Sequence, residues 1–195
     1  MNGSIPTLAP GLKVAIIGRD QAEISMDLAL VNSVLEDADC AIFQVSAETS
    51  ISEDDIKLWH RARELYVPSL ILITDFESGE IDFDDMAAIV GRILDPVVTP
   101  YLVLHAYDGS PIGLIELETE KLFDYSTGTR EIKNSDPEHR ELVKEFRNEF
   151  LEKISEFGPT GFQDALIFPA IPYSRSINMG KKEAFEYLAL LPTRS

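Results

Sequence analysis

The sequence predicts an α/β fold: a mostly parallel sheet with helices on both faces, carrying an α+β insert. Three observations predict it. Over the first hundred residues, short apolar runs rich in β-branched residues alternate with amphipathic stretches of helical period. From about residue 110 the rhythm becomes apolar–polar alternation, punctuated by Gly109, Gly113 and Gly128. A last apolar run and a last amphipathic stretch then restore the opening pattern.

Taken in order, "KVAIIG" (13–18) is a buried strand, and a helix is expected over 21–37 with Ile24, Leu28, Val31 and Leu35 on one face. "CAIFQVSA" (40–47) is the second strand. Ser52, with Asp55 three residues on, caps a helix opening "SEDDIKLWHRAREL", which ends at Pro68. "SLILIT" (69–74) is the third strand, "DFDDMAAIVGRILDP" (82–96) a helix and "PYLVLHAYD" (100–108) a further strand of the parallel sheet. Residues 110–132 form a hairpin or small meander, and a long helix follows over 137–157 with Leu142, Phe146, Phe150, Ile154 and Phe157 in one stripe. "DALIFPAIPY" (164–173) is the last strand and "GKKEAFEYLALLP" (180–192) the last helix. The expected organisation is a core of 1–108 and 161–195 with an inserted subdomain at 109–160.

A chain of 195 residues, 45% apolar and 26% charged, can bury a sizeable core without disulfides or metals. Its one cysteine, Cys40, lies in an apolar run and reads as a core thiol. No apolar run approaches the roughly 20 residues of a membrane span, and the first ten residues lack the form of a signal peptide. A cytoplasmic location is therefore expected. Thirty-four acidic residues against 17 basic ones give a net charge of −17, which disfavours direct nucleic-acid binding and favours basic partners.

Common catalytic motifs are absent. The sequence contains no GxxxxGK[ST] loop, no GxSxG elbow and no GxGxxG fingerprint. His60, His105 and His139 are isolated, without metal-ligand spacing; His60 is expected at the surface and His105 in a hydrogen-bonded structural role. Asp82, Asp84 and Asp85 sit where a helix begins, and complement its dipole without a metal. A phosphoacceptor receiver domain is excluded, because the second strand ends "VSAETS" with no aspartate.

From about residue 29 onward, the order of elements and several phrases resemble the GTPase domain of elongation factor G. The resemblance is closer to elongation-factor-G-like translational GTPases of actinobacteria. It rests on the run "SVLEDADCAIFQVSAETSISEDDIKLWHRARELYVPSLILITDF", on "DFDDMAAIVGRIL", on "SPIGLIELETEKLFDY" at the opening of the family's insert, and on "YSRSINMG" before the last helix. It implies a P-loop GTPase-like fold lacking the first strand–loop–helix, with the phosphate loop and first switch falling before residue 13. The family's DxxGH signature would fall near residues 17–23, with Gly18 or Arg19 at the aspartate and the histidine position near Glu23. Its guanine-reading NKxD is matched by Thr74, Asp75, Phe76 and Glu77. In its last motif Ser174 keeps the serine, and Arg175 replaces a small residue.

These departures imply vestigial nucleotide-binding positions at Thr74, Asp75, Glu77, Ser174 and Arg175, with no catalytic residue, no metal and no cofactor. Asp75 has neither the apolar stem nor the donors of the lysine it replaces. The expectation is a degenerate, non-catalytic GTPase-like domain, a protein-binding or regulatory module linked to translation. The resemblance implies the ribosome or its stalk protein among its protein partners, with no membrane. The alternatives are an enzyme or small-ligand binder using the strand-end crevice around Asp75 and Glu77, or a residual weak guanine-nucleotide binder.

Overall fold

The computed structural model describes residues 7–78 and 80–192. Four parallel strands form the first sheet: β1 (Val14–Ile17), β2 (Cys40–Ser46), β3 (Ser69–Thr74) and β8 (Ala170–Pro172), in the order β1-β2-β3-β8. Every residue of β1, β2, β3 and β8 is buried, as expected of strands covered on both faces. Successive residues of β2 show the two coverings. Phe43 meets Trp59 of α2 (Glu53–Glu64) edge-on at 5.0 Å, whereas Gln44 reaches the backbone just before α1 (Gln21–Asp27). Trp59 is also edge-on to Phe168 at 5.0 Å, and its indole N–H donates to Asp95 at 2.7 Å. Cys40 is fully buried in this core, as its sequence context implies.

The Ser52 cap holds, and Asp82, expected only to complement a helix dipole, is a cap as well. Ser52 accepts from the Asp55 N–H at the start of α2, and Asp82 accepts from the Asp85 N–H at the start of α3 (Phe83–Ile93). The first helix is shorter than its period suggests, ending at Asp27 rather than running to residue 37. Ala29 turns left-handed (φ 49°), the Leu30 N–H returns to the Ser25 carbonyl, and the Ala29 N–H to that of Met26. This is the paired bonding of a Schellman stop. Ile24, Leu28 and Leu35 are buried as expected, but Val31 is 88% exposed. The chain after the stop runs alongside β1. The Ser33 N–H donates to the Val14 carbonyl, and the Asn32 side chain exchanges two hydrogen bonds with the backbone of Ile16.

The second sheet is antiparallel, in the order β4 (Tyr101–His105), β5 (Pro111–Glu116), β6 (Lys121–Asp124) and β7 (Glu131–Asn134). Residues 100–108, expected in the parallel sheet, instead supply its first strand. Only five residues separate β4 from β5, enough for a hairpin but far too few for a parallel crossover. The chain leaves the first sheet at Val98, which bridges to Pro169 beside β8. His105 lies exposed at a bulge in β4, without the side-chain hydrogen bond expected of it among the described residues, whereas His60 is exposed as expected.

Helix α4 (Pro137–Phe157) spans the predicted range but is rotated from the predicted stripe. Val143 and Phe150 are buried, with Leu151 and Ile154 packed behind them, while Leu142, Phe146 and Phe157 are exposed. A small second core results, in which Leu102, Ile115 and Leu117 meet α4; Leu114, Phe123 and Tyr125 join the main core. The last strand is only three residues long, and α5 (Lys181–Leu188) follows it. Among the described residues no helix is long and apolar enough to cross a membrane.

Candidate functional site

The carboxyl ends of parallel strands are where open α/β sheets hold ligands. Here they converge on a cleft of about 130 Å³, lined by Asp20 after β1, Thr74, Asp75 and Glu77 after β3, and Tyr173, Arg175 and Ser176 after β8. The structure thus gathers all five sequence-predicted positions: Thr74, Asp75, Glu77 and Arg175 line the cleft, and Ser174 hydrogen-bonds Glu77. Buried β3 delivers Thr74, and Asp75 turns the chain left-handed (φ 60°) into the 3₁₀ turn Phe76–Ser78 that presents Glu77.

Each of these side chains is committed to another. Thr74 accepts from the Gln44 amide at 2.9 Å and donates to Asp75 at 2.9 Å. Glu77 accepts from Ser174, whose hydroxyl also lies 2.9 Å from that of Ser176. Arg175 is held by two carboxylates of α1, Glu23 and Asp27, with its Nε 2.7 Å from Asp27, and Tyr173 donates to Asp27 at 3.2 Å. Burial alone would lower the Arg175 pKa, but Glu23 and Asp27 outweigh it and hold the guanidinium above its usual range. Desolvation, then the charge of Asp27, pushes the Tyr173 phenol well above its ordinary value.

Two contributors, Gln44 and Asp27, carry no mark in the sequence, and Glu23, noted only near the family's histidine position, proves to be a salt-bridge partner. Gln44 lies mid-run in an apolar strand, where it reads as a tolerated polar residue. Its Oε1 accepts from the backbone N–H groups of Arg19 (3.0 Å) and Asp20 (3.3 Å). Gly18 makes room for it, since a Cβ there would lie 2.6 Å from the Gln44 carbonyl oxygen. The unit β1–Gly18–α1 is a strand–turn–helix, the local context of a phosphate loop. Laying GxxxxGK[ST] on Gly18 gives Glu23, Ile24 and Ser25 at the last three defining positions. This offers a second placement for that loop besides one before residue 13. Glu23 is in the salt bridge, Ile24 is fully buried in the core, and the Ser25 hydroxyl is turned onto the Leu30 carbonyl. In this second placement the lysine position is held by Ile24, which has no charge to offer a phosphate. Among the described residues no group of three or more His, Cys, Asp or Glu side chains is arranged to hold a metal.

The parallel sheet, its helices and the antiparallel sheet beside it define an α/β domain of P-loop GTPase-like type. Two curated relatives sharpen that class. The chain is 25% identical over 177 residues to the elongation factor G-like protein of Mycobacterium tuberculosis, in strain CDC 1551 / Oshkosh and in strain ATCC 25618 / H37Rv. The match covers 78% of this chain, which spans about a quarter (24%) of the length of these relatives. A crystal structure of a protein from Thermus thermophilus superimposes with a TM-score of 0.70 at 26% identity, covering 82% of this chain and 27% of that one. No family model matches the sequence.

Proposed function

We propose that this chain is a non-catalytic GTPase-like domain related to elongation factor G, a protein-binding or regulatory module linked to translation that does not hydrolyse GTP. One observation carries the reading: the Arg19 and Asp20 amides, at the turn where a phosphate would be cradled, are spent on Gln44. Most nucleotide affinity in such folds comes from charge-assisted contacts to phosphates and magnesium. Five carboxylates (Asp20, Glu23, Asp27, Asp75 and Glu77) surround the strand ends here, so an incoming triphosphate meets repulsion. This cleft of about 130 Å³ and its neighbour of about 260 Å³ over Gly18, Arg19 and Gln44 are each below the roughly 300 Å³ at which small-molecule sites begin.

An enzyme using Asp75 and Glu77 as a carboxylate pair is a weaker reading, because the two turn to different partners, Thr74 and Ser174. Isothermal titration of the chain with GTP and magnesium tests the proposal. No heat of binding is expected at micromolar concentrations, together with no phosphate release. A dissociation constant in the micromolar range or tighter overturns it. The translational link is tested separately by co-sedimentation with ribosomes at low and high salt, where salt-sensitive recovery is expected and its absence counts against the link.

A further inference from the structure

A second cleft, of about 380 Å³, opens between α4 and the antiparallel sheet on one side and α5 on the other. Its volume falls within the range of small-molecule sites. Phe150, Leu151 and Ile154 of α4 form one wall; Phe162, Ile167 and Leu190 form the other. Its polar groups are Glu116, Glu118, Glu186, Tyr101 and Tyr187, all of which accept hydrogen bonds or carry negative charge.

Among the described residues the one cation in a salt bridge with these groups is Arg130. Glu186 is paired with Arg130, but Arg130 is shared with Glu183. Arg147 reaches the backbone carbonyl of Glu118 and the carboxylate of Glu120, not the Glu116 or Glu118 side chains. Among the described residues the only side-chain hydrogen bond to Glu116 comes from the Thr119 hydroxyl, and the Glu118 carboxylate has none. Tyr101 is only 3% exposed and packs on Phe123, yet among the described residues its phenol has no hydrogen-bond partner; nor does that of Tyr187, which is edge-on to Phe162. Burial pushes the Glu116 carboxyl up, and the charges of Glu186 and Glu118 add to the shift, against the opposing pull of the Thr119 hydrogen bond and the charge of Arg130. Burial also raises both phenols, with Glu116 and Glu186 among the charges that add to it, and all these groups line the same cleft.

We propose that this cleft is a binding site for a small organic cation, an ammonium or guanidinium head on an apolar body. The head pairs with Glu116 and Glu118 and donates to the Tyr187 and Tyr101 hydroxyls, while the body lies between Phe150 and Ile154 on one side and Phe162 and Ile167 on the other. An anionic ligand is repelled by three carboxylates, and a neutral apolar ligand leaves Glu116 unpaired in a drier setting. The site is separate from the strand-end crevice, so its fate is independent of whether the chain binds GTP.

The test compares three probes of one shape, 4-phenylbutylamine, 4-phenylbutanol and 4-phenylbutyrate, titrated into the full chain and followed by NMR chemical-shift changes. The amine is expected to bind at least tenfold more tightly than the alcohol, the carboxylate not at all, with shifts confined to α4, α5 and the β5–β6 turn. Glu116→Gln and Glu118→Gln should each weaken the amine at least fivefold while leaving the alcohol unchanged. Glu118 is exposed, so its variant tests the charge without threatening the fold. Arg175→Ala, in the other crevice, should leave amine binding unaltered. Equal affinity for the three probes, no binding of the amine, or amine binding indifferent to both glutamine variants overturns the proposal.

Discussion

Arg130 and Arg175 each hold a pair of carboxylates, and burial separates their roles. Arg130 is 5% exposed and sits between Glu183, which is fully buried, and Glu186, with its guanidinium 4.6 Å over the Phe123 ring. Glu183 also accepts from the Tyr125 hydroxyl at 2.7 Å and from the Gly180 N–H at 3.0 Å. Burial pushes the Glu183 carboxyl up, against the opposing pull of Arg130 and Tyr125. The cluster rivets the antiparallel sheet to α5. Arg175 is 42% exposed, and its partners Glu23 and Asp27 are exposed to a similar degree. Water competes for every one of its bonds, so it occupies the strand-end crevice without holding the fold. A similar ionic triad is a structural rivet in one setting and a removable stopper in the other.

The comparison breaks first at Arg130. Arg130→Ala leaves Glu183 charged, buried and short of a partner, a change that typically costs about 3–5 kcal/mol. Denaturant unfolding should register the full loss, and Arg130→Lys an intermediate one, since a single ammonium cannot serve both carboxylates. A loss under about 1 kcal/mol for the alanine variant would make the two triads equivalent. Arg175→Ala should cost no more than about 1 kcal/mol, the ordinary worth of an exposed pair, and should not create GTP binding. A larger loss would mean that the crevice is part of the structural frame after all.

The smallest effect is expected at Lys133, which pairs with Asp124 on the surface of the antiparallel sheet. Hydrogen bonds from Lys133 and Ser126 hold the Asp124 carboxyl at about 2. A carboxyl pKa depressed in the folded state contributes stability that is present above its ordinary value and is lost as pH falls through the folded one. Lys133→Ala should therefore lower the neutral-pH Tm by no more than about 2 °C, and its difference from the parent should fade as pH falls from roughly 4 to 2, where Asp124 becomes protonated in folded and unfolded chains alike.

Local pattern carried most of the fold. Period and caps located α2, α3 and α4, and runs of β-branched residues located β1, β2 and β3. What pattern could not carry was pairing. Residues 101–105 read as one more parallel strand because partner choice depends on the following turn, not on the strand itself. The rotation of α4 escaped for a related reason. Its sequence offers two overlapping apolar stripes, through Leu142 and Phe146 or through Val143 and Phe150, and only the sheet beneath selects between them. At the crevice, the positions after β3 and β8 were legible because strand ends were. Gln44 was not, since its role depends on Gly18, far back in the chain, and neither residue signals the other. The Arg130–Glu183 rivet, 53 positions apart, was invisible for the same reason.

Asn32 shows how a sheet can be finished. Its amide is chemically a peptide group, and it offers the Ile16 backbone the acceptor and the donor that another strand would offer. Unlike a strand, it has no second row of such groups to present outward. In the language of polymerisation it acts as a chain terminator: it satisfies the growing end and cannot itself be extended. The free edge of β1 is thus met by the Asn32 side chain at Ile16 and the Ser33 N–H at Val14, and two adjacent residues cover groups that would otherwise template pairing with another molecule.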